Sequence, residues 1–100
     1  MSAVDVRGPK GPVRFGGADL LTWARNQLEI ASQIIDNPGG GLLFATQTIG
    51  QVRAALDEEA GDRWQAEVGL LGEAEDAAVR RNYSRARERV SQVRERLARA

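Results

Sequence analysis

The chain has 100 residues, of which 42% are hydrophobic and 28% charged, as is ordinary for one small globular domain. Its 14 basic and 14 acidic residues cancel, so the overall charge gives no attraction to nucleic acid or to anionic lipid. It has no Cys and no His, which excludes disulfides and thiolate metal sites and removes the commonest catalytic side chains. The composition therefore predicts a protein that is not an enzyme.

Residues 1–17 differ from the rest of the chain, because they contain four glycines and two of the three prolines. Pro9 and Pro12 remove backbone donors and the glycines add conformational freedom, so a helix is not expected here. The segment carries a small positive charge, and we expect a flexible basic arm. An alternative is that Val13 and Phe15, on one side of an extended segment, hold the arm against the bundle or a partner.

The first helix is predicted over residues 19–36. The Asp19 side chain can cap its first turn. Pro38 disfavours helical geometry in the preceding residue, so the helix is expected to end near Asp36 or Asn37. Apolar residues recur at intervals of three and four, a heptad pattern: Leu21, Ala24, Leu28, Ala31 and Ile35. A second set widens this stripe and predicts a helix covered on two sides: Leu20, Trp23, Ile30 and Ile34.

A turn is predicted at residues 37–41, where one proline and three consecutive glycines interrupt the pattern. The second helix is predicted over 42–60, where the same intervals relate Leu42, Ala45, Ile49, Val52 and Leu56. Residues 42–50 leave helix and extended structure open, since they contain β-branched side chains and Gly50. We favour the helix because a strand here would find no partner strand elsewhere in the chain.

The third helix is predicted over 62–99 as one long rod. Gly61 is suited to end the preceding helix, and Asp62 with Gln65 has the spacing of a capping box. The apolar stripe runs to the C-terminal end through Trp64, Val68, Leu71, Val79, Tyr83, Ala86, Val90, Val93 and Leu97. Its two halves join only if Glu75 lies in the stripe, where a carboxylate is costly unless it is paired.

These elements predict an all-α fold, an antiparallel three-helix bundle in which residues 18–100 form one domain. A helix over 62–99 would be about 55 Å long, whereas each of the first two would be about 27 Å long. The C-terminal half of the long helix would extend beyond the two shorter helices and lack a cover within the chain. This mismatch predicts self-association or a partner protein.

Charge is distributed unevenly along the predicted long helix and the end of the one before it. Residues 57–76 include eight acids and one Arg, a net charge of −7, whereas residues 80–100 include eight Arg and two Glu, a net charge of +6. Five of the six positions that flank the C-terminal stripe are Arg: Arg80, Asn82, Arg87, Arg89, Arg94 and Arg96. Flanking positions select partners in helix pairing. An antiparallel acidic stretch such as 57–76, an acidic surface on another protein or a nucleic-acid backbone would complement them.

The sequence therefore favours a helical protein–protein interaction or assembly module, which forms a homo-oligomer or binds an acidic helical partner. The predicted interface consists of Val79, Tyr83, Ala86, Arg87, Arg89, Val90, Val93, Arg94, Arg96 and Leu97. A plain solvated face is one alternative, since long Arg side chains also shield a narrow apolar stripe. A nucleic-acid-binding accessory protein is another, although the acidic neighbour would repel phosphate. A membrane-surface helix is not expected, because the apolar side has Val and Ala in place of larger residues.

Catalytic, cofactor and metal sites are not expected. Glu73, Glu75 and Asp76 form a carboxylate cluster, but the side chains of the last two point about 100° apart on a helix. No Glu-x-x-His pair exists to build a bundle di-metal site. No apolar run approaches the roughly 20 residues of a membrane-spanning helix, and the N-terminal segment has no signal-peptide core. We expect a cytoplasmic protein, with signal-less export left open.

In length, absence of Cys and paired helices around a turn, the chain resembles the small exported helical proteins of the WXG100 type. Where that family has Trp-x-Gly in its turn, this chain has Trp64, Gln65 and Ala66. Where the family's tail has Tyr followed four residues later by an acid, this chain has Tyr83 and Arg87. The resemblance implies a second alternative, a small exported protein.

Overall fold

A computed structural model describes residues 19–37, 39 and 41–100, apart from the side chains of residues 59–61. This part of the chain is all-helical and contains no strand. It comprises α1 (Leu20–Asp36), α2 (Leu42–Ala60), a 3₁₀ turn (Gly61–Trp64), α3 (Gln65–Val79) and α4 (Tyr83–Arg99). The all-α prediction is confirmed, whereas the arm predicted over residues 1–17 lies outside the described residues.

The two ends of α1 follow the local signals in the sequence. The backbone N–H of Thr22 donates to Asp19 Oδ1 at 2.8 Å, which satisfies a donor of the first turn. The same hydrogen bond lowers the pKa of Asp19 below its ordinary value. At the other end, the Asn37 N–H bonds to the Ile34 carbonyl at 3.1 Å. Both ends of this helix therefore lie within one residue of their predicted positions.

The first half of α2 is helical despite its β-branched residues. Thr46 Oγ1 donates to the Leu42 carbonyl at 2.9 Å, and Thr48 Oγ1 donates to the Phe44 carbonyl at 2.8 Å. A Thr side chain that bonds back one turn satisfies its hydroxyl without leaving the helix. This lets Thr48 be buried, and residues 42–50 are helical, the option that the sequence favoured.

The single long helix predicted over 62–99 is wrong, because the chain turns at residues 80–82. The N–H of Asn82 bonds to the Ala77 carbonyl at 2.8 Å, and the N–H of Arg81 bonds to the Ala78 carbonyl at 3.0 Å. This pair of bonds is a Schellman motif, which ends a helix with one residue in the left-handed region. Arg81 is that residue, with φ of 63°. Asn82 then caps α4, because its Oδ1 accepts from the Arg85 N–H at 3.3 Å.

The start of α3 also differs from the prediction. Trp64, and not Asp62, occupies the N-cap position of α3, and its side chain makes no capping hydrogen bond. The 3₁₀ turn instead leads directly from α2 into α3. Gln65 turns back to α2, where its Nε2 donates to Asp57 Oδ1 at 3.0 Å. At the boundary between α2 and α3 the described side-chain hydrogen bond thus joins two helices, whereas the predicted one was a local cap.

The described residues form four α-helices in place of the predicted three, and these pack in a ring. Each helix contacts the next along the chain, and α4 returns to contact α1. Neighbouring helices α3 and α4 run antiparallel: Arg89 meets Glu73 and Arg96 meets Glu67, so the numbers rise on α4 as they fall on α3. All four helices contribute to the core, whose largest fully buried side chains are Leu28, Ile35, Ile49, Val52, Leu56, Leu71, Val90, Val93 and Leu97. The uncovered C-terminal half that the sequence predicted is therefore wrong, because α4 folds back onto α1 and α3.

Candidate interaction surface

The apolar residues of the interface predicted on α4 lie in the protein's own core. Ala86, Val90, Val93 and Leu97 are buried. Tyr83 is half-buried and packs against this core. Val79 ends α3 on the outside, with 69% of its surface exposed. The heptad stripe of the C-terminal helix is therefore real, but within this chain it is covered by α1 and α3.

The arginines on one side of this stripe pair with acids of α1. Arg87 Nη1 lies 3.0 Å from Asp36 Oδ1, and Arg94 Nη2 lies 3.7 Å from Glu29 Oε1. These side chains are between 38% and 55% exposed, so each pair contributes at most about 1 kcal/mol. Their spacing of seven residues on both helices keeps the two pairs in register. Within this chain, the arginines on this side of the stripe therefore pair with α1.

The arginines on the other side of the stripe pair with acids of α3. Arg89 Nε lies 2.7 Å from Glu73 Oε1, and Arg85 Nη2 lies 3.3 Å from the same oxygen. Arg96 Nη1 lies 3.4 Å from Glu67 Oε2, whose side chain is only 10% exposed. One alternative from the sequence, antiparallel pairing of the basic stretch with the acidic stretch, is present inside the chain between α3 and α4.

Glu75 interrupts the apolar stripe of α3, where a carboxylate is costly unless it is paired, and it is paired. Its Oε2 accepts a hydrogen bond from Arg53 Nε of α2 at 2.9 Å, and its side chain is 21% exposed. The hydrogen bond and the charge of Glu75 raise the pKa of Arg53. Gly50 leaves room for this pair, because a Cβ there would lie 3.0 Å from the same oxygen. The pair links α2 to α3 on the side away from α1.

The large hydrophobic side chains that remain exposed lie on α1, α2 and α3. Among the described residues, Ile30 is 42%, Phe44 57%, Leu43 70% and Val79 69% exposed. Isolated exposed apolar residues are normal on a protein surface, whereas a contiguous group indicates a binding surface. Leu43 and Phe44 are adjacent in α2, so they point about 100° apart. Phe44 lies on the side of α1, and Leu43 lies on the side away from it.

We call the outer side of the α1–α2 pair the hairpin face, defined by Trp23, Gln27, Ile30, Ile34, Phe44, Gln47 and Gln51. From Trp23 to Gln51 the chain has three charged residues, Arg25, Glu29 and Asp36. Glu29 and Asp36 pair with α4, and Arg25 lines the groove between α1 and α4. Arg53, the next charged residue, pairs with α3. Glu58, seven residues after Gln51 and on the same side of α2, is exposed at the end of the face that carries Trp23. The rest of the hairpin face carries apolar and amide side chains.

Two shallow grooves lie elsewhere on the described surface. One, of about 600 Å³, runs between α1 and α4 and is lined mainly by polar residues, including Arg25, Glu29, Arg94 and Glu95. The other, of about 670 Å³, lies where α1 begins and α4 ends, beside Asp19 and Trp64. Within the described part of the chain, no group of three or more acidic residues is placed to hold a metal ion.

A helix that crosses a bilayer needs about 20 predominantly apolar residues. None of the helices in the described ranges combines that length with that apolar character.

The described residues form a small all-α bundle in which one face carries apolar and amide side chains and is charged only at one end. No match was found among known protein families, curated proteins or solved structures. The function is therefore argued from the chain's own residues.

The sequence analysis did not predict the hairpin face, although the residues that form it have a recognisable pattern. Ile30 and Ile34 were predicted to lie on a second covered side of α1, and this side faces α2 only in part. Phe44 falls outside the heptad positions of α2 and was given no role. The signal that could have found the face is the stretch from Asn37 to Gln51, which contains no charged residue.

Proposed function

We propose that this protein is a non-enzymatic helical interaction module that binds another protein through the hairpin face. The observation that carries the proposal is the combination of exposed Ile30 and Phe44 with the absence of charge around them. In a chain with 28% charged residues, an exposed aromatic ring without a charged residue beside it on the same face is distinctive. The centres of protein interfaces are depleted in charged residues and enriched in aromatic ones.

The outer side of α4 has the opposite character. Ser84, Glu88, Gln92 and Glu95 are exposed there, and the apolar stripe of the helix faces inward. Association through the stripe that includes Val90 would require α4 to leave its own bundle and pack into another copy. The turn at residues 80–82 is the place where such an exchange would begin, because Arg81 is held in the left-handed region without a glycine. Exchange of α4 is therefore the second candidate route to assembly.

The nucleic-acid alternative needs arginines that are available to phosphates. Between residues 80 and 100, six of the eight arginines form ion pairs with acids of the same chain: Arg80, Arg85, Arg87, Arg89, Arg94 and Arg96. A phosphate backbone would have to compete with these carboxylates and approach the acidic surface of α3. These pairs support a protein partner over a nucleic acid.

The proposal is tested by site-specific photo-crosslinking in the cells that make the protein. A photoreactive residue is placed at Gln51, which is exposed on the hairpin face, or at Gln92, which is exposed on α4. We expect a discrete adduct from position 51 and little or none from position 92. No adduct from position 51, or equal adducts from both positions, would contradict binding through the hairpin face.

A further inference from the structure

We propose that residues 80–82 are a hinge and that two copies of this chain assemble by exchanging α4. In the exchanged dimer the hinge is helical, so α3 and α4 form one continuous helix, and each α4 packs into the bundle of the other copy. Exchange of α4 rests on the proposed function as an interaction module, but it does not require the hairpin face. Three features of the described residues support it: the strained turn, the contacts that hold α4 and the exposure of Val79.

The turn between α3 and α4 is short and strained. Only three residues separate the two helices, and among them Arg81 has φ of 63°. A residue with a Cβ is favoured in the right-handed region, which is the conformation it would have in a continuous helix. Neither Gly nor Pro occurs between Gly72 and Ala100, so the sequence does not oppose a helix through the hinge. Short strained connections favour exchange, because the straightened form relieves strain that the closed turn retains.

The contacts that hold α4 are the same whichever copy supplies the helix. α4 packs on α1 and α3, and its apolar side is buried against them. Its arginines form ion pairs with acids of those two helices, namely Glu29, Asp36, Glu67 and Glu73. An α4 from a second copy carries the same side chains in the same register, so it reproduces every one of these contacts. Exchange therefore leaves neither the core nor these ion pairs without a partner.

Val79, the last residue of α3, gains apolar neighbours in the exchanged dimer. In the single chain it is 69% exposed. In a continuous helix Val79 precedes Tyr83 by four residues and Ala86 by seven, so it lies on the same side as the apolar stripe of α4. Both hinges cross between the same two bundles, which brings them close to the two-fold axis and to each other. The exposed valine therefore lies where the two copies meet.

The first test is refolding of the full chain from urea at concentrations from about 10 μM to about 1 mM, with the dimer fraction measured by size-exclusion chromatography. Arg81→Ala and Arg81→Gly are the matched variants. Alanine prefers the right-handed region over the left-handed one by about 5- to 30-fold, whereas glycine populates both about equally. A dimer contains two hinges, so the dimerisation constant of Arg81→Ala should exceed that of Arg81→Gly by about 25-fold or more.

A pair of charge reversals tests whether α4 is the exchanged element. One variant carries Arg87→Glu and Arg94→Glu on α4, and the other carries Glu29→Arg and Asp36→Arg on α1. Each variant alone opposes like charges between α1 and α4, whereas an exchanged heterodimer pairs an acid with an arginine at all of these positions. After the two are refolded together, native mass spectrometry should find heterodimers well above the roughly one half of all dimers that random pairing gives. The mixture is informative even if each variant alone is unstable, because the matched pairs form only between copies.

We expect the unmodified chain to form dimers after refolding at the highest concentration, and Arg81→Ala to form more of them than Arg81→Gly. Monomers at every concentration for both the unmodified chain and Arg81→Ala would overturn the exchange. Equal dimerisation of the two Arg81 variants, or heterodimers at the random share, would overturn it as well. These outcomes are separable from failure of the proposed function. A photo-adduct from position 51 with another protein, together with a monomeric chain, would overturn exchange and retain the interaction module. Exchange without that adduct would retain assembly through α4 and remove the hairpin face as the binding surface.

Discussion

The turn between α3 and α4 gives the sharpest prediction about stability, because one residue there is strained. Arg81 has φ of 63°, in the region where a side chain with Cβ costs about 1–2 kcal/mol. Arg81→Gly removes this cost but adds about 0.5–1 kcal/mol of backbone entropy to the unfolded state. We expect a net stabilisation of about 0.5–1 kcal/mol. Arg81→Ala is the matched control, because it removes the same charged side chain and keeps the strain.

Urea denaturation followed by circular dichroism measures the difference. With a slope near 1 kcal/mol per M for a small domain, the midpoint of Arg81→Gly should rise by roughly 0.5–1 M relative to Arg81→Ala. A midpoint for the glycine variant at or below that of the alanine variant would refute the account of a strained Schellman turn. If Arg81→Ala forms a dimer and Arg81→Gly does not, exchange of α4 between two copies would be favoured.

Two further sets of substitutions test the packing of α4 and the ion pair between α2 and α3. Val90→Asp should cost about 3–5 kcal/mol, because it places a carboxylate in the core, whereas Gln92→Asp on the exposed side should change stability by less than about 0.5 kcal/mol. Thermal unfolding measures both, and a folded monomeric Val90→Asp would show that Val90 belongs to an interface between chains. Arg53→Met should cost about 1 kcal/mol, because it leaves the partly buried Glu75 without its cation. Adding Glu75→Met should recover part of this loss, and a double-mutant cycle with no coupling would contradict the pairing.

The sequence predicted the first two helices well because their signals are local. Asp19 caps α1, Pro38 follows its end, and the alternating apolar spacing marks the buried side of both helices. The requirement that Glu75 be paired was also correct, although the sequence did not identify Arg53 as the partner. That partner lies 22 residues away, and only the antiparallel packing of α2 and α3 brings the two together.

The turn at residues 80–82 was missed because it uses none of the residues that usually mark one. The chain has neither Gly nor Pro between Gly72 and its last residue, and Arg81 occupies the position where glycine is usual. The sequence did contain one indication of the turn. The spacing of the apolar residues changes phase through Glu75 and Val79. A continuous helix could accommodate this change of phase only with an eleven-residue repeat. The structure resolves it as two helices with separate faces, and Val79 is exposed as a result.

The position of the turn also determines where a binding surface can lie. A continuous helix would leave its arginine-flanked stripe without a cover, and the stripe would need another chain. Once α4 folds back, the same stripe fills the core, and its arginines pair with Glu29 and Asp36 on one side and with Glu67 and Glu73 on the other. In these pairs the acidic side chains of α1 point toward α4. Arg53 of α2 points toward α3 in the same way, because it pairs with Glu75. The outer side of the α1–α2 hairpin carries little charge as a result, and this supports the proposed binding of a partner there.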